Sequence, residues 1–280
     1  MAVKTTSLVE DFQEYFDVRI AGRGSAQLED VYRIRYRVYC EEFKYEPSDA
    51  FPLGQEVDAF DDSAVHCLIT HKASGMPAGC VRVVTVDDTS LMPMEKYCAQ
   101  SFDQALMSRF AQNRPAICEF SRLAVDTAFR RRHGEDASRF GELNALDISL
   151  RESRTFSLIS VAAFLSAFAV SDLIERRHCF AMMEPFLPRM LGRSGIVVSK
   201  LGFEVDYHGM RAPYFIRTED AVGGMAKELQ DFYLMIRANF ADHPHFAGQK
   251  GGLPAAGLAE HRDGSQDTWP GDHATIPVGS

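Results

Sequence analysis

The chain lacks the features that mark several large classes of protein. Its six cysteines, Cys40, Cys67, Cys80, Cys98, Cys118 and Cys179, form no C-x-x-C pair, and no Cys/His cluster has zinc spacing. They read as reduced, buried thiols, not as a disulfide framework or a metal site. Positive charge is also scarce. Thirty basic residues face 39 acidic ones, a formal net charge of -9, which argues against general nucleic-acid binding. No apolar run approaches the roughly 20 residues of a membrane span. The most apolar stretch, 156–170, is broken by serines and reads as a buried core helix. Residues 1–15 are too polar for a secretory signal, so the expected location is the cytoplasm. G-x-S-x-G, G-x-x-x-x-G-K-[ST] and G-x-G-x-x-G are all missing. Serine-hydrolase and nucleotide-dependent chemistries thereby lose most of their support.

What is present suits one sizeable domain. With 280 residues, 46% of them hydrophobic, the chain can bury a large core without staples. The expected domain is 1–242. Residues 243–280 hold 7 Gly and 4 Pro with few large apolar side chains, too little burial to offset ordering entropy, and predict a disordered tail. Trp269, the only tryptophan, falls in that tail and is not expected at a site. Periodicity predicts a first helix through Leu8, Phe12 and Phe16, ending near Gly22 and Gly24, and a second over 27–43. Strands follow at 65–71 and 79–86, paired as a hairpin, and at 115–125. Residues 139–175 read as mostly helical, 179–183 as a strand and 185–191 as a short helix ended by Gly192. Strands at 204–207 and 214–217 and a helix over 225–240 complete the domain. The order predicts an α/β fold with a mixed, largely antiparallel sheet flanked by helices.

Several polar groups stand out. Glu56, Asp58 and Asp61 place three carboxylates within six residues. Such a loop is either solvated or partnered by cations, among them a substrate ammonium. Glu119 and Arg122 lie in C-E-F-S-R-L, where an odd offset puts them on opposite strand faces unless a bulge intervenes. Arg82 sits in a similar strand. Buried charges of this kind need partners. They form either a structural ion pair, or a base at Glu119 beside arginines that hold an anion. Arg130, Arg131 and Arg132, with His133 and Gly134, make a basic turn, either solvated or phosphate-binding. His208 is either structural or functional.

Taken in order, R-I-R-Y-R-V-Y-C-E-E (33–42), E-V-D-A-F-D (56–61), G-C-V-R (79–82) and E-F-S-R (119–122) resemble the autoinducer synthases that make acyl-homoserine lactones. Arg35, Tyr39, Asp58, Asp61, Arg82, Glu119 and Arg122 fall on that family's motif positions. Tyr39 replaces a usual Phe, and Tyr45 stands where the family has Trp. Further stretches, including P-M-E-K-Y, M-M-E-P-F-L-P-R-M-L-G-R and V-D-Y-H-G-M-R-A-P-Y, are similar to the PEP-CTERM/exosortase-associated acyltransferases, relatives of the N-acyl amino acid synthases. This resemblance runs from about residue 12 to 240. It implies an N-acetyltransferase-like (GNAT) fold and transfer of a long fatty acyl group to the amino group of an amino acid. The donor would be a phosphopantetheine thioester on an acyl carrier protein or coenzyme A, with no tightly bound cofactor and no metal. Glu119 would be the general base and Arg122 would order the site. Arg35, Tyr39, Tyr45, Asp58, Asp61, Arg82 and His208 would hold the acceptor. Arg130, Arg131 and Arg132 would meet the donor's carrier. The alternatives are a lactone synthase using S-adenosylmethionine, a non-catalytic acyl-carrier-binding module and an ordinary acetyltransferase. Expected partners are the carrier protein and a small acceptor, with no nucleic acid, no membrane span, and release of an acylated product to a membrane.

Overall fold

The computed structural model describes residues 7–130 and 155–246. Ser7 opens the first helix, α1 (Leu8–Tyr15), through a capping box: its hydroxyl accepts from the Glu10 N–H at 3.1 Å, and the Glu10 carboxylate accepts the Ser7 N–H at 3.0 Å. The helix stops sooner than its apolar spacing predicts. Phe16–Ala21 is a strand, β1, with Phe16, Val18 and Ile20 buried. Helix α2 (Ala26–Arg35), capped by Ser25, runs into a π-helical turn at Tyr36–Glu42. Then come β2 (Ala64–His71), β3 (Pro77–Thr85), the short helices α3 (Pro93–Tyr97) and α4 (Gln104–Ser108), and β4 (Ile117–Val125). After the undescribed 131–154, α5 (Ser157–Leu173), β5 (His178–Met183), α6 (Leu187–Arg193), β6 (Ser199–Lys200), β7 (Val205–Asp206) and β8 (Met210–Arg217) follow. The single helix expected over 225–240 is preceded by another: Thr218–Gly224 forms α7 and Lys227–Ala241 forms α8.

The strands join in the order β1-β2-β3-β4-β5-β8-β6, with β7 also on β8. Every described pairing is antiparallel except β4 with β5. The expected mixed, largely antiparallel sheet is therefore present, as is the β2–β3 hairpin. The parallel pairing covers only Ile117 with His178, Cys118 with Cys179 and Glu119 with Phe180. Beyond Glu119 the two strands continue without pairing.

Alternation sorts the side chains between two layers. Val65, Cys67, Ile69, Val81, Val83, Cys118 and Phe120 face α5, the apolar helix expected near 156–170, which is buried almost all round. Helix α8 packs on α5 in turn. On the opposite face Leu68 and Cys80 pack under α2 with Val31, Ile34, Val38 and Tyr39. The neighbours of Leu68 and Cys80 at even positions, His66 and Arg82, face the same way. Polar groups thus collect on the α2 side and apolar ones on the α5 side. Gly79 in β3 allows α5 to come close: a Cβ there would lie 2.7 Å from the Ile159 Cγ2. All six cysteines are free and buried, as expected. The packed chain continues past residue 242 into a turn at Pro244–Phe246, with the Phe246 ring buried. The rest of the expected tail, 247–280, lies outside the described residues.

Candidate active site

Two adjoining features make the site: a buried charge cluster and an apolar cavity with a carboxyl in its wall. Arg35, at the end of α2, is fully buried. Its Nε donates to Glu56 Oε2 at 2.5 Å, and its Nη atoms hold Asp61 at 2.6 and 3.1 Å. Arg82 Nη1 bridges Asp58 at 2.6 Å and Asp61 at 2.8 Å, and its Nε bonds the Ser121 hydroxyl at 3.0 Å. Arg122 Nη2 meets Glu56 at 3.0 Å, Glu46 at 3.1 Å and Asp58 at 3.3 Å. The acidic loop is therefore partnered, not solvated. Among the described residues three arginines ion-pair with these four carboxylates, a formal deficit of one positive charge, with the His208 imidazole 3.6 Å from Glu46.

The protonation pattern follows from this geometry. Burial pushes the Glu56 carboxyl up, but Arg35 and then Arg122 outweigh it and hold it at about 2. Asp61 is lowered for the same reason, with Arg35 and Arg82 overcoming burial. His66 Nε2 lies 3.6 Å from Asp61. Burial, with Arg35 adding to it, brings that imidazole down to about 4, so it is neutral at pH 7 and does not supply the missing charge.

The bulge required for Glu119 and Arg122 to act together exists. The β3–β4 register pairs Arg82 with Ser121 but Cys80 with Ala124, so two β4 residues oppose Val81. Arg122 takes the left-handed region there, φ 49°, a strained conformation for a non-glycine residue. The bulge turns Arg122 toward the α2 face that Glu119 already occupies.

Where β4 and β5 part after Glu119, a cavity of about 320 Å³ opens. Apolar side chains make most of its wall, among them Phe120, Leu123, Phe164, Leu165, Met182 and Leu191. Glu119 is the buried carboxyl in that wall. Its Oε2 accepts the Met94 N–H at 2.9 Å. Burial dominates and raises it to about 8, against the opposing pull of the Met94 N–H and Arg82. It makes no ion pair with Arg82 or Arg122, whose carboxylate partners lie in the 46–61 loop. Of the two alternatives for these residues, the simple structural pair is excluded.

Tyr39 and Tyr45 also line the cavity. The Tyr39 hydroxyl donates to the Leu123 carbonyl at 2.9 Å and its ring lies under Arg122. Tyr45 stacks on Phe43 and contacts His208 with ring centroids 4.9 Å apart. His208, φ 55°, stands 3.6 Å from Glu46. The structure thus gathers Arg35, Tyr39, Tyr45, Asp58, Asp61, Arg82, Glu119, Arg122 and His208 around one centre. Arg130 departs from expectation. Its side chain is 1% exposed, ion-paired with Glu42 and bonded to Thr127 at 2.9 Å, so it does not offer its charge to a carrier. Arg131 and Arg132 lie outside the described residues. The site residues missed in the sequence are Glu46, Tyr207 and Arg211. Arg211 and Tyr207 line the cavity, and Arg211 lies over the Tyr45 ring. Glu46, in a loop rich in Pro and Ser, carries no spacing signal; Arg211 lies ahead of the strand expected at 214–217, and only the structure extends that strand back to Met210.

Residues 34–138 match the family model described as acetyltransferase (GNAT) domain. The fold is the GNAT fold. Solved structures of the same architecture include the acyl-homoserine lactone synthase LasI, 20% identical, with a TM-score of 0.52 over 75% of this chain and 96% of that one. TofI, in a ternary complex with an inhibitor and MTA, is 19% identical, with a TM-score of 0.53 over 77% of this chain and 96% of that one. BjaI, a CoA-dependent acyl-homoserine lactone synthase solved with SAM and isopentyl-CoA, is 17% identical, with a TM-score of 0.52 over 79% and 89%. Comparison with curated proteins finds no match. Among the described residues no helix is long and apolar enough to cross a membrane, and no His/Cys/Asp/Glu group could hold a metal ion.

Proposed function

We propose that the protein is an N-acyltransferase that moves a long fatty acyl group from a phosphopantetheine thioester to the amino group of an amino acid. One observation carries the reading: a buried carboxyl with raised proton affinity sits in the wall of an apolar cavity, beside a carboxylate cluster one cation short. The cavity takes the acyl chain. The acceptor enters on the cluster side, where its ammonium supplies the missing positive charge. Glu119 in its ionised form then takes a proton from that ammonium, directly or through water. The freed nitrogen attacks the thioester carbonyl, the carbon–nitrogen bond forms, the carbon–sulfur bond breaks, and the thiol leaves with a proton. The bulged backbone from Arg122 to Ala124, also in the cavity wall, supplies N–H groups to the developing oxyanion. Arg122 and Arg82 keep the acidic side ordered, and no covalent enzyme intermediate is needed.

The resemblance to the exosortase-associated acyltransferases supports an amino-acid acceptor and a carrier-protein donor. BjaI, of the same fold and solved with isopentyl-CoA, supports a coenzyme A thioester as the alternative donor. A lactone synthase using S-adenosylmethionine is the second reading, favoured by the same cation-deficient cluster. Mass spectrometry of lipid extracts from cells expressing the wild type and Glu119→Gln tests both. N-acyl amino acids in the wild type alone establish the reaction and name the acceptor. Acyl-homoserine lactones in their place establish the second reading. No acyl product from either strain, with donor and acceptor supplied, removes the enzyme reading.

A further inference from the structure

We propose that the mouth of the cavity, formed by α6 and the chain following it, docks on an anionic lipid bilayer, because this mouth combines exposed apolar side chains with arginines that pair with no described carboxylate. Phe186 is 43% exposed, Met190 48% and Val197 71%, so three large apolar groups stand in water on one short stretch of chain. Two of them, Phe186 and Met190, also line the cavity, together with Leu187, Leu191 and Ile196. The exposed apolar surface and the apolar cavity are therefore one continuous surface.

Charge points to the partner. The whole chain carries -9, yet residues 185–200 contain Arg189, Arg193 and Lys200 and no carboxylate. Lys200 pairs with Glu204 at 3.1 Å. Among the described residues Arg189 and Arg193 take no carboxylate partner, and both are exposed. They sit four residues apart, as do Phe186 and Met190, so cations and apolar groups alternate along the same edge. A purely polar acidic surface would answer the arginines alone. A bilayer with anionic headgroups answers both at once, taking Phe186, Met190 and Val197 into the acyl boundary while the guanidiniums stay among the phosphates. That the surface serves to pass an acyl chain between cavity and bilayer rests on the N-acyltransferase reading; the docking itself does not.

Cosedimentation of the full chain with vesicles, without donor or acceptor, tests the docking. The protein is expected to sediment with vesicles of mixed phosphatidylglycerol and phosphatidylcholine, to stay behind with pure phosphatidylcholine, and to lose binding at high salt. An Arg189→Glu/Arg193→Glu double variant is expected to bind about tenfold more weakly or worse. Phe186→Ser/Met190→Ser, with its fold checked by circular dichroism and both arginines kept, is expected to weaken binding at low salt. Vesicle binding unchanged by the charge reversal overturns the proposal. So does wild-type protein that ignores vesicles, whether the reversal then abolishes capture of an acidic carrier protein or breaks a concentration-dependent dimer. No substrate takes part, so a failure of acyl transfer in the Glu119→Gln comparison leaves this result unaffected.

Discussion

Glu119 is the residue on which the chemistry turns, and its environment gives it two separate consequences. As the base, it must be ionised, and its affinity is raised to about 8 by burial. Plots of kcat/KM against pH should therefore rise through about pH 8. Glu119→Gln should lower kcat by about 100-fold or more and abolish that limb; an unchanged profile would assign the proton to another group. The second consequence concerns stability. The folded protein keeps this proton up to about pH 8, while an unfolded carboxyl releases it near 4.5. The native state thus binds more protons between these values, so stability is full below about 4.5 and falls as pH rises through 8. The Tm difference between Glu119→Gln and wild type should shift in favour of the variant from pH 5 to pH 9, by the equivalent of on the order of 3 kcal/mol. At this scale the sequence was informative about identity and silent about partnership. Glu119, Arg122 and Arg82 stood out as charges in apolar strands. That the arginines would choose Glu46, Glu56, Asp58 and Asp61 over Glu119 depends on how a loop folds across the sheet, which no local pattern records.

Among the elements, the acidic loop and α2 are locked by Arg35. Arg35→Met would leave Glu56 and Asp61 in the interior with less positive charge, and a loss of about 3–5 kcal/mol in denaturant unfolding is expected. Glu56 carries the opposite linkage to Glu119. Held near 2 in the folded state, it contributes stability that is present above about 4.5 and is lost as pH falls through 2. The contact of α5 with β3 offers a different check. Gly79→Ala drives a methyl against the Ile159 Cγ2 and the Ala124 carbonyl, 3.2 Å away; a cost of about 1–3 kcal/mol is expected, and Ile159→Leu in the same chain, which lacks that branch methyl, should return part of it. Element boundaries show how far pattern reading goes. The alternation of F-D-V-R-I-A was present for β1, but Leu8, Phe12 and Phe16 also fit a helix, and the helical spacing masked the strand. The π-turn after Arg35 could not be seen, because it widens the helix without changing which residues are apolar. The β4 bulge was visible only as a requirement: two charges that had to share a face stood an odd number of residues apart.

At the scale of the molecule, the sheet is two antiparallel halves. One runs from β1 to β4 and the other from β5 to β8, and three residue pairs join them. The class of fold was legible because strand and helix periods alternate along the chain. The seam was not, since nothing in β4 or β5 announces which partner each will take. Its consequence lies in the order of assembly. Within the first half, β2 and β3 can meet across a turn of a few residues, whereas Cys118 and Cys179 are 61 positions apart, so the entropy of loop closure falls on the seam. Conservative truncations at Ile117 or Phe180 should accordingly speed unfolding much more than they slow folding, giving low φ-values, while truncations at Val65 or Val83 should give higher ones. Glu119 is the last pair of that seam. The carboxyl is enclosed only when the two halves meet, so the late step that completes the fold, beyond the rate-limiting barrier, is also the one that arms the base, and a chain halted before it has neither cavity nor proton affinity.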